Sequence, residues 1–82
     1  MNKCKGKIEF DYELLRLRIR AKFASEGQFA VRIGVRREYL SRKLNNLIVI
    51  TSEEIIEWSE ILDIPQNLIG LYFFTPKVTN GN

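Results

Sequence analysis

The segment that most restricts the fold of this chain is "FAVRIGVRREYLSRKL", Phe29 to Leu44. Its apolar and glycine positions run Phe29-Ala30, three residues, Gly34-Val35, four residues, Leu40, three residues, Leu44. Each member has a mechanical reason. Ala30 suits a point where two helices cross, because a larger side chain would push them apart. Gly34 permits the left-handed turn that ends the first helix. Val35 plugs the corner from inside. Leu40 and Leu44 stand one turn apart and anchor the second helix, which leaves its opposite face in water.

Flanking signals set the ends of these helices and add others. "SEGQ", Ser25–Gln28, fits a capping box, so the earlier helix is predicted over about Glu26–Ile33. The later one is predicted over Arg37–Asn45. Upstream, "KIEF", Lys7–Phe10, alternates like a short strand, and Asp11 is placed to cap a helix over Tyr12–Phe23. Leu15, Ile19 and Phe23, with Tyr12, form that helix's apolar stripe. Downstream, "LIVI", Leu47–Ile50, is a connector or short extended segment. "TSEE", Thr51–Glu54, is a second capping box that opens a helix to about Asp63. Ile55, Trp58, Ser59 and Leu62 share its inner face, so Trp58 is assigned to the core. Pro65 suits the first position of a short fifth helix, Pro65–Leu71. The aromatic stretch "LYFFTPKV" follows. The expectation is one mainly α domain over residues 1–82, with room for short strands at its two ends.

Composition excludes several classes of function. There is one cysteine, Cys4, so no internal disulfide forms, and there is no histidine to serve as a zinc ligand or general base. No glycine-rich phosphate loop and no nucleophile beside a base is present, so neither an enzyme nor a cofactor is expected. The longest apolar runs, such as Leu47–Ile50, are far short of the ~20 residues that span a bilayer, and no apolar stretch follows the basic start. A cytoplasmic protein without membrane contact is expected. Net charge is +3, but it is unevenly placed. Residues 1–45 hold twelve Lys/Arg against five Asp/Glu, and residues 46–82 hold one Lys against five Asp/Glu. That polarity favours a polyanion on one side of the molecule.

With the Ala-x-x-x-Gly-Val spacing followed by "YLSRKLN", the sequence resembles the helix-turn-helix domains of the Cro and CI class of phage repressors, the XRE-type regulators. Residues 11–71 fit that five-helix, lambda-repressor-like plan, with the helix-turn-helix at about 25–45. The ending resembles small Cro-like proteins of temperate phages of Gram-positive bacteria. The resemblance implies a repressor in a bacterial host cell, binding double-stranded operator DNA as a homodimer, with no small-molecule ligand. Arg37, Glu38, Ser41, Arg42 and Asn45 then become the base readers. Ser25, Arg36, Tyr39, Lys43 and Asn46 become the phosphate contacts. Leu71, Tyr72, Phe73 and Phe74, in a tail over 68–78, either pack on their own domain or form the dimer contact.

Two positions depart from the family's pattern. Arg36 stands where Ser or Thr usually caps the recognition helix, and Glu26 stands where a glutamine commonly meets the DNA backbone. A carboxylate there repels phosphate and instead complements the positive end of its own helix. The connector also lacks a basic residue. Glu38 and Arg42, four apart, are expected to form an ion pair in the free protein. The rival reading is a protein-interaction module, an antitoxin or antirepressor, that uses the fold to hold another protein.

Overall fold

The computed structural model describes residues 8–77, so Cys4, Lys7 and Val78 lie outside the described residues. Five α-helices follow one another: α1 (Glu13–Phe23), α2 (Glu26–Ile33), α3 (Arg37–Leu44), α4 (Ser52–Ile61) and α5 (Ile69–Phe73). A 3-10 turn, Gln66–Leu68, leads into α5. The fold is therefore mainly α, as the sequence predicts.

Local chemistry accounts for most boundaries. Asp11 Oδ1 accepts from the Glu13 amide at 2.9 Å, so α1 begins one residue later than the apolar stripe suggests. Ser25 Oγ accepts from the Gln28 amide at 3.1 Å and starts α2, although the return bond from Gln28 does not form. Gly34 ends α2 at φ +80°. A Cβ there would meet nothing within 4 Å, so backbone conformation rather than space calls for glycine. The second capping box is complete: Thr51 Oγ1 accepts from the Glu54 amide at 3.1 Å, and Glu54 Oε1 accepts from the Thr51 amide at 2.8 Å. Thr51→Ala should therefore cost about 1 kcal/mol of unfolding free energy in urea titration. A loss below a few tenths would mean that Glu54 alone holds the helix start.

Two expectations are corrected at the ends of the chain. Among the described residues there is no strand; Phe10 and Pro76 make a single antiparallel bridge. The Lys77 amide donates to the Glu9 carbonyl at 2.8 Å, and the Asp11 amide to the Thr75 carbonyl at 2.7 Å. Pro65 does not start a helix: it is extended (ψ 151°), and the last helix is displaced to Ile69–Phe73. That displacement places Ile69 and Phe73 on one face, with Phe73 only 1% exposed. Phe73 is thus a core residue and not a dimer contact. Tyr72 also packs against the core, while Leu71 and Phe74 remain half exposed. The tail lies on its own domain, where Phe10 and Phe74 meet edge to face at 5.7 Å.

An aromatic column ties the layers together. Phe23 contacts Phe29 at 5.4 Å between ring centres, Phe29 contacts Trp58 at 5.4 Å, and Trp58 contacts Phe73 at 6.4 Å. Leu15, Ile19, Ala30, Leu40, Leu44 and Leu62 close around it. Leu40 and Leu44 are buried as expected, and this fixes which side of α3 faces water.

Candidate interaction face on the third helix

α3 starts at Arg36, whose side chain makes no capping bond. Arg36, Arg37, Glu38 and Arg42 are exposed, and Ser41 is half-buried. Glu26, Arg37, Glu38, Ser41 and Arg42 line one open hollow of about 310 Å³. Four of the five predicted readers thus share a surface. The expected Glu38–Arg42 ion pair is absent among the described residues, so both side chains are available to a partner.

Asn45, the fifth, is exposed but occupied. Its Nδ2 donates to the Ser41 carbonyl at 2.9 Å, and its Oδ1 accepts from Arg16 at 3.1 Å. Arg16 is a brace that sequence reasoning missed. It pairs with Glu26 at 2.8 Å and donates to the Leu44 carbonyl at 3.1 Å, joining α1 to the start of α2 and the end of α3. Glu26 also has Arg20 at 3.7 Å. Its carboxylate is therefore held beside Arg37 and the start of α2 by ion pairs, in addition to the helix charge read from the sequence.

The predicted phosphate contacts fare differently. Lys43 is corrected outright: it is 1% exposed. Its Nζ donates to Glu54 Oε1 at 2.8 Å and to the Val49 carbonyl at 2.8 Å, and lies 4.6 Å from the Tyr39 ring centre. Asn46 is corrected too. At φ +65°, its amide accepts from the Phe10 N–H and donates to the Phe10 carbonyl, both at 2.9 Å. Tyr39 is on the surface, but its hydroxyl donates to Glu54 Oε2 at 3.0 Å. Ser25 is exposed with its Oγ engaged in the cap. Of the five, Arg36 alone makes no side-chain hydrogen bond or ion pair among the described residues.

The lysine and glutamate stay charged. Burial alone would lower the Lys43 ammonium, but the hydrogen bonds and charges of Glu54 and Tyr39 outweigh it and raise it above its usual value. Burial alone would raise the Glu54 carboxyl, yet hydrogen bonds from Lys43, the Thr51 amide and Tyr39 hold it below its usual value. A carboxyl with a depressed folded pKa stabilises the fold above its unfolded pKa, about 4.3, and loses that contribution as pH falls through the folded value. Lys43 acts with the opposite sign, contributing below about 10.4 and losing it as pH rises through its raised value. Thermal midpoints from neutral pH to about pH 3 should therefore fall on the acid side, and Glu54→Gln should flatten that limb. An unchanged limb would remove Glu54 from the account.

Beyond α3 the surface becomes apolar. Leu47 is 70% exposed and Val49 80%. They edge a groove of about 290 Å³, with Ile8, Phe10 and Phe74 on its other sides. The basic front half of the sequence is partly spent internally. Arg18 donates to the Leu62 and Asp63 carbonyls at 2.7 and 2.9 Å, and Lys22 pairs with Asp63. Among the described residues, no helix is long and apolar enough to cross a membrane.

No curated protein sequence matches the chain. It is similar to the solution structure of the modulator of repression (MOR) of the temperate bacteriophage TP901-1 from Lactococcus lactis, with 30% sequence identity and a TM-score of 0.73 over 85% of this chain and 95% of that one. That protein is a phage regulator. The family described as "Protein of unknown function (DUF739)" matches residues 8–76, nearly all of the described chain, and the protein belongs to that family.

Proposed function

We propose that this chain is a phage regulatory protein that modulates repression by binding a repressor protein, using the outer face of α3 and the apolar loop after it. One observation carries this reading: apart from Arg36, the side chains that would clamp DNA phosphates around α3 are otherwise engaged. The Lys43 ammonium is bonded to Glu54 and Val49, and the Asn46 amide to Phe10. The next positions offer Leu47 and Val49 to water where a DNA backbone would need donors. Glu26 and Glu38 are interleaved with Arg37 and Arg42, and that mixed charge complements a protein surface better than a uniformly anionic duplex. The similarity to a phage modulator of repression fits the same reading. No chemistry or cofactor is required; occupancy of the repressor's surface is the whole effect.

A second reading has its own support. Arg36, Arg37 and Arg42 are exposed and make no side-chain hydrogen bond or ion pair among the described residues. In a Cro-like repressor, Arg37 and Arg42 would donate bidentate bonds to guanines while Glu38 and Ser41 adjust to their neighbours. A homodimer would then place two α3 helices on the half-sites of a partly palindromic operator, one helical turn apart.

Mixing the chain with the repressor of its own genetic switch separates the two. At about 0.15 M salt the first reading expects a stable hetero-complex by light scattering, and no retardation of the operator duplex by this chain alone. Sequence-specific retardation without the repressor would establish the second reading instead. Val49→Asp should leave unfolding free energy within ~0.5 kcal/mol, because the side chain is already in water. It should weaken the hetero-complex about tenfold or more, since a charge would replace buried apolar area. A complex of unchanged affinity would exclude the loop from the interface.

A further inference from the structure

Lys43 occupies an unexpected place for its chemistry. Its helix is short and cationic, and a lysine there gains hydration by pointing outward. Instead the side chain is 2% exposed and pairs with a glutamate that is 17% exposed. Two of the three ammonium donors meet oxygen, on Glu54 and on the Val49 carbonyl, and the Tyr39 ring face lies beside the cation. Glu54 is equally engaged: Oε1 also accepts from the Thr51 amide, and Oε2 accepts from the Tyr39 hydroxyl. One carboxylate thus joins two side chains of α3 to the first turn of α4, and one ammonium joins α3 to the loop that follows it.

Elsewhere the join is slight. α3 packs closely on α2 and only thinly on α4. A buried ion pair contributes little net stability compared with an apolar pair of the same volume, because desolvation offsets the attraction. What it can supply is direction, since hydrogen bonds of fixed length leave fewer arrangements than contact between aliphatic chains.

We propose that Lys43 and Glu54 are positioning residues that fix the rotation of α3 and the path of the Leu47–Val49 loop against α4, so that the polar face and the apolar loop meet a partner as one surface. This rests on the reading that α3 and its loop form the binding face. The bond to the Val49 carbonyl is the central element. It draws that peptide inward and leaves the Leu47 and Val49 side chains at 70% and 80% exposure.

The test is the full-length double variant K43M/E54Q. Methionine fills the volume of the lysine stem, and glutamine retains an oxygen for the Thr51 amide, so no unpaired charge is buried. The expected result is a cooperatively folded protein with a thermal midpoint near that of the parent. Its Leu47 and Ile48 amides, both bonded to the Arg42 carbonyl, should exchange with deuterium at least about tenfold faster, and the amide shifts of Arg37 to Arg42 should move, because the local opening that governs exchange is no longer restrained. Wild-type exchange and shifts in the double variant would overturn the proposal. Should that variant fail to fold, Lys43→Met alone, which removes the bond to the Val49 carbonyl and leaves Glu54 accepting from the Thr51 amide and the Tyr39 hydroxyl, carries the same expectation and the same overturning result. If the loop loosens while affinity for the repressor stays at the parent level, positioning stands and the assignment of the binding face falls.

Discussion

Replacing Trp58 by alanine is expected to remove most of the stability of this domain. The indole is 1% exposed and stands between Phe29, edge-on at 5.4 Å, and Phe73 at 6.4 Å. Truncating a buried Trp or Phe typically costs about 3–5 kcal/mol, the transfer free energy of the ring plus the cavity left behind. Domains hold roughly 0.05–0.15 kcal/mol per residue, so a chain of this size has on the order of 4–12 kcal/mol in all. The loss is not confined to α4. Phe29 belongs to α2 and Phe73 to α5, so the cavity opens beneath the helix that supports α3. Urea unfolding followed by far-UV circular dichroism should show a midpoint shifted strongly toward zero, or no folded baseline. Trp58→Phe should retain most of the stability, because a smaller ring keeps both aromatic contacts. An alanine variant within about 1 kcal/mol of the parent would mean that the aromatic column is not the support of the fold.

The parts legible in the sequence are those set by neighbours a few residues apart. α2 begins and ends where Ser25 and Gly34 place it, because a cap and a left-handed glycine act within one turn. The Thr51–Glu54 box is local for the same reason. The burial of Lys43 has a local signal: it follows Leu40 by three residues, so it falls on the buried stripe that Leu40 and Leu44 define. Charge suggests a solvent-facing side chain, and burial is tolerable because the ammonium bonds Glu54, eleven residues on, and the Val49 carbonyl. Asn46 offered no such signal, since its partner Phe10 lies 36 residues away. The side Phe73 faces depends on the period of its segment. In an extended tail, neighbouring aromatics alternate between faces, but in a helix Phe73 shares the face of Ile69. Charge asymmetry overstated the anion-binding surface, because Arg16 and Arg18 bind the carbonyls that end α3 and α4.

Reversing Arg37 and Arg42 together to glutamate is expected to abolish partner binding with little effect on folding. Both are exposed and bond to nothing among the described residues, so the free protein loses no contact. Losing one partner of a hydrogen-bonded charge pair at an interface costs about 2–5 kcal/mol, and reversal adds repulsion, so a fall of at least about 100-fold is expected by calorimetry. Salt then tells what the arginines touch. On DNA the two arginines would read guanines, so their reversal should remove the preference for the operator over random duplex, and binding by the parent should weaken steeply as salt rises. Against a repressor protein the salt slope of the parent complex should instead be shallow, because Glu26 and Glu38 stand among the arginines. Glu38→Gln completes the argument by its sign. Facing phosphates, loss of that carboxylate relieves repulsion and strengthens binding. Facing a cationic group on a protein partner, it removes an attraction and weakens binding. Because Glu38 is exposed and makes no ion pair among the described residues, neither change can be attributed to the fold.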